Sequence, residues 1–184
     1  MKATDELMQE HQGIELMLRV LQAVSARFGG GKPPPAPDVD GIVEFLTIFV
    51  DKCHHGKEEE FLFPALEAAG VPREAGPIGV MLREHRQGRQ LVAQLREFLE
   101  QYRSGNKEAA AGIQQTIQEY VDLLSRHIVK ENSVLFPMAD DRLDVKADAE
   151  LFGAFQRVER ERIGPGKHEA FHALLEELRD AYLK

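Results

Sequence analysis

HHGKEEEFLFP, residues 54–64, and HIVKENSVLFP, residues 127–137, are one phrase written twice, 73 residues apart. In each, a histidine is followed four residues later by a glutamate (His54 and Glu58; His127 and Glu131) and then by Leu-Phe-Pro. A shorter match precedes each copy: Glu10-His11 and Glu84-His85, a shift of 74. The chain thus holds two copies of one unit, and the repeat predicts approximate two-fold symmetry in whatever the copies enclose.

Around these phrases the apolar residues recur at helical spacing. Leu7, His11, Ile14, Leu18 and Leu21 share one face, as do Val43, Leu46, Val50, His54 and Glu58. A third stripe runs Ile78, Met81, His85, Gly88, Val92, Leu95, Leu99 and Tyr102, and a fourth Ile113, Ile117, Tyr120, Leu124, His127 and Glu131. Breaks fall at GGGKPPPAP (29–37), at Pro72, Gly76 and Pro77, at Ser104-Gly105-Asn106, at Pro137 to Asp141, and at Gly164-Pro165-Gly166. Asp38 and Asn106 are placed to cap the second and fourth helices. No segment alternates long enough to read as a strand. Four long amphipathic helices with short connections predict an all-α, antiparallel up-down four-helix bundle over residues 1–140. Phe152, Phe155, Glu159 and Ile163, then His168, Phe171, Leu175, Leu178 and Tyr182, predict a helical C-terminal extension, 141–184, packed on it.

Each of the four inward stripes carries a histidine where leucine is expected, and two add a glutamate one turn on. Residues four apart differ by about 40° around an α-helix, so each His–Glu pair projects as neighbours. An uncompensated carboxylate in a bundle core costs several kcal/mol. Two such carboxylates with four imidazoles are hard to retain unless they neutralise something. A pair of divalent cations would do so, with two bridging carboxylates and two imidazoles each, and with further positions left to water, oxo or a small molecule. Nitrogen and oxygen ligands without thiolate suit iron or manganese, with zinc as an alternative.

Composition agrees with this and narrows the rest. The 184 residues include seven His, one Cys, 23 Lys+Arg and 31 Asp+Glu, for a net charge of -8. A mean hydropathy of -0.34 and 29% charged residues describe a soluble globular chain. One Cys cannot form an internal disulfide. No apolar run approaches the roughly 20 residues of a membrane span, and MKATDELMQEHQG lacks a signal peptide's apolar core. The expectation is a cytoplasmic protein with no membrane partner. An acidic chain without a Lys/Arg block likewise argues against nucleic acid.

Glu10-His11, His54-x3-Glu58 with Leu62-Phe63-Pro64, Glu84-His85, and His127-x3-Glu131 with Leu135-Phe136-Pro137 together resemble the hemerythrin-like, or HHE cation-binding, family over residues 5–138. The resemblance implies two non-heme iron ions joined by an oxo, hydroxo or water bridge. It also implies that His11 and His54 hold one iron, His85 and His127 the other, and that Glu58 and Glu131 bridge them. Oxygen-carrying members place two histidines four apart on the third helix, where His85 here has Met81 and Arg89 as neighbours at that spacing. They also carry an aspartate five residues after the last histidine, where this chain has Asn132 and offers Glu131 instead. The four-His, two-Glu pattern looks more like the family's sensing, nitric-oxide-handling and iron-repair branches. It implies that a small diatomic ligand, oxygen or nitric oxide, is bound or sensed at an open iron position. The alternatives are a di-iron oxidoreductase served by an electron-donating partner, an iron-handling or repair protein, and a structural zinc bundle. The vacancy left by the absent histidine falls to solvent or to a residue of the C-terminal helices.

The remaining candidates read as follows. His55 and Glu59 stand about 100° from His54 and Glu58 on an α-helix and so face away from them; the Leu-Phe-Pro register favours the 54/58 pair, with His55 the lesser candidate to complete the coordination. Cys53 reads as a buried, inert thiol. Gly88, where the repeat has Ile14, either lets helices approach or opens a channel for a small molecule. His168-Glu169-Ala170-Phe171-His172 matches HExxH, but too little chain follows it to build a zinc protease. Glu159, on the apolar face of its helix, is either a surface ion-pair partner or an inward acid serving the site.

Overall fold

The computed structural model describes residues 2–184, and every regular element among them is helical. There are six helices: α1 (Lys2–Gly29), α2 (36–68), α3 (Pro77–Arg103), α4 (109–142), α5 (145–163) and α6 (Lys167–Tyr182). Three of them are not uniform. α2 starts as α-helix over Ala36–Glu44, widens to π turns over Phe45–His55 and Glu58–Leu62, and closes as α-helix over Phe63–Ala68. α4 has π turns at Glu131–Leu135, and α5 at Val158–Ile163.

Two of the π stretches lead into the Leu-Phe-Pro phrases, and they correct one expectation. Pro137 does not end a helix; α4 runs through it to Arg142. A proline inside a helix offers no N–H and crowds the carbonyl a turn earlier. Here it follows directly on the widened turns of Glu131–Leu135, and Pro64 stands in the same relation to Glu58–Leu62. The break falls at Leu143, and Asp144 caps α5 by accepting a hydrogen bond from the Ala147 amide at 2.8 Å. α2 begins at Ala36 behind Pro35, so Asp38 lies inside the first turn and does not cap it; its carboxylate accepts from the Tyr182 hydroxyl. Asn106 does not cap α4 either, whose N-cap is Glu108; it stands in the turn before the helix and accepts from the Glu108 amide at 3.1 Å.

The buried apolar residues form two clusters with a polar layer between them. One holds Leu7, Leu62, Phe63, Ile78, Met81, Leu135 and Phe136; the other holds Ile14, Leu46, Val50, Leu91, Leu124 and Ile128. Along α1 and α3 the chain passes from the first cluster through His11 or His85 into the second. Along α2 and α4 it passes from the second through His54 and Glu58, or His127 and Glu131, into the first. All six polar residues are buried.

α5 and α6 lie against α1 and the π stretch of α2. Phe171 is buried edge-on to Phe45 and Phe49, with centroids 5.5 and 5.9 Å away, and Leu175 and Leu178 join the same cluster. α2 therefore has more than one covered side. Its buried residues come in adjacent sets (Phe45-Leu46, Phe49-Val50, Cys53-His54-His55, Lys57-Glu58, Leu62-Phe63) and not as a single narrow stripe. Truncating so enclosed a ring leaves a cavity, so Phe171→Ala should lower unfolding free energy by about 3–5 kcal/mol. Chemical denaturation of the metal-free protein would measure it.

Candidate metal centre

The repeat brings its residues together in a symmetric way. His11 and His54 approach through their Nε2 atoms at 3.0 Å, and His85 and His127 at 3.2 Å. Two donors at about 2.1 Å from one ion and at right angles stand about 3.0 Å apart, so each pair has the spacing of neighbouring ligands. Glu131 reaches both pairs: Oε2 lies 3.1 Å from His11 Nε2, and Oε1 lies 2.9 Å from His127 Nε2. Glu58 does the same, with Oε1 3.8 Å from His54 Nε2 and Oε2 3.4 Å from His85 Nε2.

Each imidazole is held from behind by its Nδ1–H. His54 donates to Glu10 at 2.7 Å and His127 to Glu84 at 2.9 Å, so the glutamate of each Glu-His dipeptide serves the histidine of the following helix. His11 donates to Asn132 at 2.8 Å and His85 to Glu59 at 2.7 Å, so the residue after each inward glutamate serves the opposite copy. Such bonds fix the tautomer with Nε2 inward and raise its basicity, as behind metal-bound histidines. Lysines complete the pattern: Lys57 Nζ contacts Glu10 at 2.5 Å, and Lys130 pairs with Glu84.

The donor set fits a cation, and the orphaned oxygens are the test. None of the four carboxylate oxygens of Glu58 and Glu131 accepts an aligned hydrogen bond, although all are buried. They lie close to imidazole nitrogens but off the N–H directions; the groups converge on the space between them and not on each other. Without a cation, protons offset the charge. Burial lowers the basicity of His11, His85 and His127, but Glu131 and Glu58 outweigh it and hold all three above the usual range, His127 at about 9. Burial and the nearby Glu131 charge push Glu58 up to about 7. Glu131 is also raised by burial, yet His127, His11 and His85 bring it well below the carboxylate range. His54 stays neutral through burial and the neighbouring His11.

Residues outside the expected six also take part. His55 does not face away: it is buried, stacks on His85 with centroids 3.8 Å apart, and groups with Glu58, His85 and His127, their ligand atoms all within 4.8 Å. The 100° argument assumed an α-helix. The π turns of Phe45–His55 change the angular step, and α3 covers that side. Glu159 reaches neither metal position; its carboxylate meets Lys57 Nζ at 2.6 Å, beside Glu6 at 2.7 Å. The grouping of Glu10, Glu159 and His168 is thus organised around an ammonium that those acids hold well above its usual pKa despite its burial. His168 stacks on Phe49, and His172 is exposed. Cys53 is buried and its thiol is pushed up to about 12 by that burial. Gly88 lines a largely apolar cavity of about 270 Å³ with Leu46, Val50, Val92 and Tyr120; His55 is also in its lining, as are the charged Asp51, Arg89 and Arg96.

The hemerythrin HHE cation-binding domain profile matches residues 2–139. The chain belongs to that family. It is a hemerythrin-like metal-binding domain, with α5 and α6 beyond the matched region. An uncharacterised protein of Mycobacterium tuberculosis is 24% identical over 162 residues, 88% of this chain and 63% of its own. The iron-sulfur cluster repair protein YtfE of Salmonella newport is 32% identical over 125 residues, 65% of this chain and 56% of its own. The chain thus spans about three fifths of the length of the curated relatives it matches. No solved structure matches it. Among the described residues, no helix is long and apolar enough to cross a membrane.

The second layer of contacts gives a test. Glu84 is partly exposed, and glutamine at this position keeps its size while removing its charge. Glu84→Gln should weaken binding of the cation beside His127 by about 10–100-fold. A competitive chelator titration, with circular dichroism as the control for folding, would check it.

Proposed function

We propose that the chain holds two iron ions in an antiparallel up-down bundle and binds or senses a diatomic ligand, oxygen or nitric oxide, at an open position. In this reading His11 and His54 ligate one ion, His85 and His127 the other, and Glu58 and Glu131 bridge them. The observation that carries it is the reach of both carboxylates across both imidazole pairs. A pair of redox-active ions supplies electrons and Lewis acidity to such a ligand. The chain's own residues do the rest: four Nδ1–H bonds fix the imidazoles, and the two apolar clusters exclude bulk water from the layer between. The cavity at Gly88 offers a small apolar molecule a path toward His85. The site is taken to be cytoplasmic.

A second reading, iron handling or repair, is favoured by the similarity to the iron-sulfur cluster repair protein of Salmonella. Stoichiometric ligand uptake separates a binding or sensing role from either turnover with an electron donor or transfer of iron to an acceptor.

Anaerobic reconstitution with ferrous iron should load two ions per chain, and the visible spectrum should respond to oxygen or nitric oxide. Fewer than two ions, or silence toward both gases, would end the di-iron gas-binding reading. Glu58→Ala and Glu131→Ala should each abolish binuclear loading; retention of two ions by either variant would overturn the bridging assignment. Gly88→Leu, whose Cβ has ordinary clearance to Leu124 and Tyr120 at 3.8 Å, should fill the cavity. It should slow the gas reaction in stopped flow while iron content stays constant.

A further inference from the structure

The two copies agree at His54 and His127, Lys57 and Lys130, Glu58 and Glu131, and throughout Leu-Phe-Pro, yet they differ beside the first histidine. There the first copy has His55 and the second Ile128. Both side chains are buried, and Ile128 belongs to an apolar cluster, so hydrocarbon meets the packing need at this position. An imidazole in the same environment needs partners, because a buried donor or acceptor left unpaired is destabilising. His55 has none: neither ring nitrogen makes a hydrogen bond. The nearest carboxylate oxygen, Asp51 Oδ1, stands 3.7 Å from Nδ1 and accepts from Arg89 Nε at 2.7 Å.

What His55 does face is one half of the centre. Its ring lies parallel to that of His85, tilted by 15°, and edge-on to His127 at 5.6 Å, so a turn of its side-chain torsions is what would aim a ring nitrogen at an ion in the plane of His85. It groups with the ligand atoms of Glu58, His85 and His127; the other grouping, His11, His54, Glu58 and Glu131, lacks it. The residues that could compete for this place are engaged or distant. Glu159 is paired with Lys57, His168 lies against Phe49, and His172 is exposed.

We propose that His55 is a third histidine ligand for the cation held by His85 and His127, so that the two cation positions are unequal. The proposal rests on the two-ion reading above. It assigns the asymmetry to one residue: the duplicated frame supplies two histidines to each ion, and the substitution of histidine for isoleucine supplies the fifth.

His55→Ile, which installs the residue the second copy already carries, is the test, with His55→Ala as a second variant free of the added branch. Metal-free wild type and variants are compared by thermal melting, then titrated with cobalt(II) under chelator competition while the visible ligand-field spectrum is recorded. Wild type should take up two ions. Both variants should keep one affinity unchanged, lose at least tenfold in the other, and shift the absorption of one cobalt only. Two unchanged affinities and an unchanged cobalt spectrum in either well-folded variant would overturn the assignment of His55. Failure of the wild type to take up two ions would instead overturn the reading on which it rests.

Discussion

Two carboxylates buried in one layer, Glu58 and Glu131, are the constraint on which the rest of the molecule depends. Both are fully enclosed, both lie within 3.8 Å of His85 Nε2, and no oxygen of either is satisfied by an aligned hydrogen bond. Such a pair cannot stay ionised without positive charge close by. Protonated imidazoles meet that need without metal. Cations would meet it too, since each carboxylate spans two imidazole pairs, so charge on one side is felt on both.

Holding six groups at that spacing falls to a second set of residues. The four Nδ1–H bonds to Glu10, Asn132, Glu59 and Glu84 prevent the rings from flipping, and Lys57, Arg89 and Lys130 hold three of those acceptors in turn. The arrangement alternates charge outward from the centre. An acidic layer stands behind the imidazoles and a basic layer stands behind the acids, which keeps each buried charge paired. Truncating any one member would leave its partner buried and uncompensated, so the network acts as a unit.

Much of this was legible in the chain. The repeat located His11, His54, Glu58, His85, His127 and Glu131, because ligands of a symmetric centre must recur at matched positions, and the structure brings all six into one layer. The helical class followed from apolar spacing alone. What sequence spacing missed has a single cause: helical-wheel arguments assume a constant angular step. The π turns of α2 break that assumption, and so His55 lies inside. Similar π turns precede Pro64 in α2 and Pro137 in α4, and α4 runs on through Pro137, where a break was expected. The roles of Glu59 and Asn132 behind His85 and His11 depend on the opposite copy, and no local pattern marks a contact between residues 26 or 121 positions apart.

The C-terminal helices complete the argument about what the repeat leaves unfinished. Lys57 and Lys130 are equivalent by sequence, yet their surroundings differ. Lys130 is partly exposed and pairs with Glu84, whereas Lys57 is fully buried among Glu6, Glu10 and Glu159. Glu159 comes from α5, outside the region matched to the family. A buried ammonium needs more compensation than an exposed one, and the extension that buries Lys57 also brings the extra acid. Through Lys57 and Glu10 this added layer is connected to His54, one of the imidazoles of the first pair. His55 lies against the second pair. The two halves of a duplicated frame thus differ at both ends: one gains an outer layer behind its histidine, the other an additional imidazole beside its own. Symmetry builds the centre, and these two departures from it decide how its halves differ chemically.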